Sequence, residues 1–268
     1  PIGEKTLIMG VLNITPDSFH DGGRYTSLDA ALRHAEKMAG EGADIIDIGG
    51  ESTRAGSEGV LEKKELKRGA PVIKKIAKRF DIPLSIDTTK AGVARAALSE
   101  GASIVNDISG LKFGAGVAEA AAEYGAAMVL MHTSSRPRDM QRKTEYESLI
   151  DDIIKSLREW VRKAGGAGVK EQNIIIDPGF GFGKTPSQNL TILKELGRFL
   201  ELGRPLLIGT SQKSFVEAAT GSASGDRLEG TAATVAIGIM NGASIVRVHD
   251  VGYMKKVALM ADAGKNVN

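Results

Sequence analysis

Eight short apolar runs rich in branched residues recur along this 268-residue chain, with helix-like stretches between them. That alternation constrains the fold more than any other feature. The strand cores are Leu7 to Leu12, Ile45 to Ile48, Leu84 to Ile86, Ile104 to Val105, Ala127 to Met131, Ile174 to Ile176, Leu206 to Ile208 and Ile245 to Val248. A run such as Ile174 to Ile176, apolar at every position, suits a strand buried on both faces of a parallel sheet. Helical spacing falls at Ser27 to Gly40, Lys90 to Glu100, Tyr146 to Lys163, Gln188 to Leu202 and Leu228 to Asn241. Asn13 to His249 covers 236 residues in seven intervals, about 34 per unit, close to the ~30 of an α/β (β/α)8 TIM barrel. No linker divides the chain, so residues 1–268 read as one domain, although an open doubly wound sheet carries the same periodicity.

The chain has no cysteine, which excludes disulfides and thiolate chemistry. No apolar run reaches the ~18 residues of a membrane span and no signal pattern opens the sequence, so a soluble cytoplasmic protein without a membrane partner is expected. Lys plus Arg exceeds Asp plus Glu by only 2, and aromatics are 4%. That balance gives no platform for nucleic acid.

The segment Val60 to Phe80 is the most basic. Leu66, Val72, Ile73, Ile76 and Phe80 keep helical spacing, and Gly69 with Pro71 predicts a kink or restart. Its lysines and arginines fit a solvated helix face better than an anion site. Residues 264–268 read as a frayed tail.

The residues that follow each strand carry the chemistry. They are Asn13, Asp47 with Glu51, Asp87, Asn106 with Asp107, His132, Asp177, Ser211 with Lys213, and Arg247 with His249 and Asp250. In a parallel barrel all of these share one rim. Helix capping explains any one Asp, Asn or Ser there, but explains all eight together poorly. Two long loops, about 13–26 and 49–59, look mobile and suited to anions. The first has Gly22 and Gly23 beside Asp17, Asp21 and Arg24; the second runs Gly-Gly-Glu-Ser-Thr-Arg, a set of donors that fits a diphosphate.

The glycine loop after Asp177 fails as a Walker A loop, because three residues rather than four separate Gly179 from Gly183, and Pro186 interrupts a following helix. The four histidines are scattered without zinc spacing. Residues 209–213 do not match a nucleophile elbow.

Together these motifs resemble the dihydropteroate synthases of the pterin-binding barrel superfamily. The matching stretches are Met9 to Phe19 with Asp21-Gly-Gly, Asp47 to Arg54, Ser85 to Thr88, Asn106 to Ile108, Leu130 to His132, Asp177 to Lys184, Gly209 with Ser211 and Lys213 to Phe215, and Arg247 to Asp250. The resemblance implies condensation of 6-hydroxymethyl-7,8-dihydropterin diphosphate with p-aminobenzoate to give 7,8-dihydropteroate and pyrophosphate, with Mg²⁺, in a homodimer. By the same resemblance Asp87, Asn106, Ile108, Met131, Asp177, Gly209 and Lys213 would hold the pterin. Asn13, Thr53, Arg54, Arg247 and His249 would hold the diphosphate, with Asn13 on the metal. Phe19, Thr53, Ala55, Phe182, Ser211 and Ser214 would line the aminobenzoate side. Asn13, Asp21, Arg54, Asp87, Lys213, Arg247 and His249 would carry the catalysis.

The chain departs from the family pattern at Ala55, His20 and Gln212, all at or near the aminobenzoate side. Two other readings share the barrel: a methyltetrahydrofolate:corrinoid methyltransferase, which needs no diphosphate loops, and a silent pterin-binding paralogue.

Overall fold

Every expected apolar run forms a strand, and all pair in parallel. In a computed structural model, residues 3–14, 27–51, 60–114, 116–136, 138–221 and 226–267 are described. The order is β1 (Leu7–Asn13), α1 (Ser27–Gly40), β2 (Ile45–Gly49), α2 (Glu62–Arg79), β3 (Leu84–Asp87), α3 (Ala91–Ser99), β4 (Ile104–Asp107) and α4 (Val117–Glu123). There follow β5 (Ala127–Met131), α5 (Leu149–Gly166), β6 (Ile174–Asp177), α6 (Pro186–Lys194), β7 (Leu207–Ile208), α7 (Ser214–Thr220), α8 (Leu228–Met240), β8 (Ile245–Val248) and α9 (Val251–Lys265).

The sheet runs β6-β5-β4-β3-β2-β1-β8-β7. A bridge between Ile176 and Leu206 joins its two ends, helped by the Ile176 amide donating to Pro205 O at 3.0 Å. The sheet therefore closes as a barrel, and the open doubly wound alternative is excluded.

Period-two alternation sorts each strand into two layers. Ile8, Leu12, Ile46, Ile48, Ile86, Val105, Leu130 and Ile176 face the helices and join the main core. Met9, Ile45, Ile104, Val129, Ile175, Leu207 and Ile245 fill the barrel interior. Two residues further along, the same inward face carries Asp47, Asn106, Met131, Asp177 and Arg247. The apolar plug thus becomes a polar floor at the C-terminal end.

The helices follow their amphipathic spacing. On α5, Ile150, Ile153, Ile154, Leu157, Trp160 and Ala164 are buried, while Asp151 and Asp152 open the helix and Lys163 closes it, which suits the macrodipole. Burying each large apolar side chain contributes about 1.5–3 kcal/mol.

Four local expectations need correction. Helix α2 does not restart but runs through Pro71, because Val72, Ile73 and Ile76 are buried and their packing outweighs the lost backbone bond. Pro186 does not interrupt a helix; it starts α6, with Thr185 and Gln188 forming a reciprocal capping box. The segment read as Gln188 to Leu202 is α6 followed by a separate 3₁₀ turn at Leu196–Leu202. Helix α9 also reaches Lys265, inside the expected tail. Among the described residues no helix is long and apolar enough to cross a membrane.

Candidate active site

The inward strand tips of β2, β3, β4 and β8 meet in one network. Asp47 Oδ2 accepts from Arg247 Nε at 2.7 Å and from Asn106 Nδ2 at 3.1 Å, while Arg247 Nη2 donates to Asp87 Oδ2 at 3.0 Å. Asp47, Asp87 and Asn106 are buried and Arg247 half-buried. Burial pushes the Asp87 carboxyl up to about 8; the Arg247 charge opposes this and the Asp47 carboxylate adds to it. The cluster therefore offers donors and acceptors close together, with a carboxyl able to change protonation near neutral pH.

Asp107 is also at a strand tip, yet it builds its own loop. Its two oxygens accept from the Ser109 amide at 2.8 Å and the Leu111 amide at 2.7 Å. Here the capping explanation holds.

Across the barrel, Asp177 ends β6 and its Oδ1 accepts from the Gly179 amide at 2.7 Å. Burial raises its carboxyl to about 6, against the pull of that amide. The loop beyond it must turn in left-handed conformations at Gly179, Gly181 and Gly183. At Gly179 a Cβ would stand 1.9 Å from His132 O, so only glycine fits. Lys184 pins this loop from beneath: its Nζ donates to Gly179 O at 2.9 Å and Phe182 O at 3.0 Å, and lies 3.1 Å from His132 Nδ1. Burial lowers Lys184 to about 7 and holds His132 well below its usual range. His132, stacked on Trp160 at 5.7 Å, belongs to this support.

Between the two carboxylate groups lies an apolar wall of Ile108, Met131, Met140 and Phe182. Lys213 places Nζ 4.2 Å from the Phe182 ring centre, and burial lowers it to about 8. The Ser211 hydroxyl lies 3.0 Å from His249 Nδ1, so two residues expected in different subsites are in contact. Ser214 is exposed at the start of α7, and Gly209 follows β7. Asn13 ends β1 in register with Gly49 at the end of β2.

Beside Gly49 a second charged group forms. Lys90 Nζ donates to Glu51 and, at 2.7 Å, to the fully buried Glu65, while Glu51 Oε1 accepts from the Val60 amide at 2.9 Å. Glu51 thereby ties together the two ends of the second long loop.

The structure brings together Asn13, Asp87, Asn106, Ile108, Met131, Asp177, Phe182, Gly209, Ser211, Lys213, Arg247 and His249 at one rim. Phe19, Asp21, Thr53, Arg54 and Ala55 lie outside the described residues, as does most of both long loops. From sequence Asp47 is a strand-tip residue with no specific role, and Met140 and Lys184 have none. Period two puts Asp47 on the inward face with Ile45; Met140 lies far from any strand tip and gave no signal. Among the described residues no three His, Asp or Glu side chains converge as a metal cage.

The model of the family described as pterin binding enzyme matches residues 9–249. A dihydropteroate synthase of Clostridium beijerinckii is 50% identical over 97% of this chain and 95% of its own length. Among solved structures, a Clostridium difficile dihydropteroate synthase crystallised in the presence of pteroic acid superposes with a TM-score of 0.93 at 44% identity, covering 99% of both chains. A Xanthomonas albilineans dihydropteroate synthase with 4-aminobenzoic acid superposes with a TM-score of 0.93 at 38% identity, covering 99% of this chain and 95% of that one.

Proposed function

Because the chain belongs to the pterin binding enzymes and matches dihydropteroate synthases over nearly its whole length, we propose that it makes 7,8-dihydropteroate. The substrates are 6-hydroxymethyl-7,8-dihydropterin diphosphate and p-aminobenzoate, and pyrophosphate leaves. The observation that carries this reading is the ring of Asp87, Asn106, Asp177 and Lys213 around the apolar wall of Ile108, Met131 and Phe182. A flat pterin needs such a slot: an apolar face for its ring, and acceptors and donors for its amino-pyrimidinone edge.

In the proposed reaction the C9–O bond breaks first, and its electron pair leaves with pyrophosphate. The amine lone pair of p-aminobenzoate then forms the C9–N bond, and the nitrogen gives up its proton to water. Asp87 and Asp177 stabilise the electron-poor pterin, with Lys213 on the same ring, while His249 and, by the family resemblance, Arg54 and Thr53 act on the departing diphosphate. Arg247, being bound to two carboxylates, serves the pterin end as much as the diphosphate. Phe182 and Ser211, with Phe19, Ala55 and Ser214, form the aminobenzoate side. Asp21 joins from the first loop.

Asn13, whose Oδ1 stands beside Gly49 at the rim, would hold Mg²⁺ together with substrate oxygens, since a phosphate-bound magnesium needs few protein ligands. When bound it supplies charge neutralisation to the leaving group.

We propose further that the enzyme is a cytoplasmic homodimer. Helix α8 is apolar nearly all round, yet Ile237 and Met240 are exposed beside Tyr253, Leu259 and Met260 of the adjoining α9. A second copy would cover them.

The test is release of pyrophosphate from the pterin diphosphate in the presence of p-aminobenzoate and Mg²⁺. Release dependent on both substrates supports the reading. Pterin binding without release would make the chain a silent paralogue.

A further inference from the structure

Asp47 has no exposed surface, so a ligand in the pocket never reaches it. Yet one of its oxygens holds two residues that the pterin reading places against the ligand, Asn106 at 3.1 Å and Arg247 at 2.7 Å. An asparagine amide has nearly the same shape either way round, and only its hydrogen-bond partners decide which end points where. A carboxylate only accepts. Asp47 therefore forces the NH2 end of Asn106 toward itself and leaves the carbonyl Oδ1 as the end available to a ligand.

We propose that Asp47 is a positioning residue that sets substrate specificity, by making Asn106 a fixed acceptor for the amino-bearing edge of the pterin. The inference rests on the pterin reading above. It also explains why a carboxylate is kept here at all. Its other oxygen, Oδ1, has no hydrogen-bond partner, and neither has the hydroxyl of Ser85, which stands opposite in register on β3. Burying an acid this incompletely satisfied costs stability. An apolar residue would fill the space more cheaply but would leave the Asn106 amide free to turn.

The probe pair is 6-hydroxymethylpterin and 6-hydroxymethyllumazine, which differ at C2, where an amino donor beside an acceptor N1 gives way to a carbonyl acceptor beside an N1–H donor. Calorimetry on the full chain would compare their affinities in the parent protein, in Asp47→Leu and in Asp47→Asn. Leucine at position 47 accepts nothing, so Asn106 can turn and offer its NH2 group to the lumazine. The preference for pterin should then fall by about tenfold or more, the scale of one well-made hydrogen bond. In Asp47→Asn the Arg247 guanidinium, which only donates, holds the new carbonyl where Oδ2 stood, so Asn106 stays oriented and the preference should be kept. Because the readout is a ratio, general weakening of both ligands does not move it. An unchanged ratio in Asp47→Leu would overturn the inference, as would a lost preference in Asp47→Asn. If Asp47→Leu does not fold, Asp47→Ala is read in its place: a fallen preference supports the inference and an unchanged one overturns it. A parent protein that binds neither probe would instead overturn the pterin reading, and this inference with it.

Discussion

Arg247 binds Asp47 through Nε at 2.7 Å and Asp87 through Nη2 at 3.0 Å, so two buried carboxylates on neighbouring strands share one guanidinium. Removing the cation by Arg247→Met leaves the buried Asp47 with the Asn106 amide but no cation, and takes from Asp87 its guanidinium partner. Breaking a buried pair in this way typically costs about 3–5 kcal/mol. Urea denaturation should show that loss at pH near 7, and a change under about 1 kcal/mol would mean that Arg247 is not what holds these acids.

The Asp87 carboxyl is raised by burial to about 8 from 3.8. Between those values the folded chain keeps a proton that the unfolded chain has lost, so this group's contribution to stability falls as pH rises. Asp87→Asn removes that dependence. The melting temperature of the variant minus that of the parent should therefore increase steadily between about pH 5 and about pH 8, on the scale of ~2–4 °C per kcal/mol. A difference that stays flat or shrinks would show that Asp87 is ionised across the range.

Asp177 should be a main anchor of the pterin. Asp177→Ala removes a charge-assisted partner worth about 1.5–3 kcal/mol, so pterin affinity measured by calorimetry should weaken by about tenfold or more. Unchanged affinity would remove Asp177 from the pocket's binding groups.

Lys184 reaches the carbonyls of Gly179 and Phe182 and so fixes the loop on which Phe182 sits. Lys184→Met leaves those buried acceptors open, at about 1–3 kcal/mol each. Stability should drop, and KM for p-aminobenzoate should rise more than KM for the pterin diphosphate. Equal rises in both would indicate a general loss of the barrel rim instead.

The barrel was legible in the sequence because its signal is repeated: branched runs such as Ile174 to Ile176 recur with helical spacing between them. The strand tips were legible for the same reason, and Asp87, Asn106, Asp177, Lys213 and Arg247 do converge. What escaped depends on tertiary packing. Pro71 looked like a helix break until Val72, Ile73 and Ile76 were seen to be buried around it. Pro186 looked like an interruption until Thr185 and Gln188 were seen to cap the helix that it begins. Asp47 and Lys184 lie in matched motifs, but their work is done one layer below the pocket. Only coordinates show that Asp47 touches Asn106, 59 residues away. The pairing of Ser211 with His249 was hidden likewise, since periodicity cannot say which tips touch across a rim.

The central claim is that the pterin sits in this slot with its edge against the acids. The most direct measurement is a crystal structure of the chain with 7,8-dihydropteroate bound. The pterin ring should lie against Met131 and Ile108, its amino-pyrimidinone edge should be within hydrogen-bond distance of Asp87, Asn106 and Asp177, and the aminobenzoate should extend past Phe182. A pterin found outside that ring of residues, or bound with its edge turned away from the three side chains, would contradict the account.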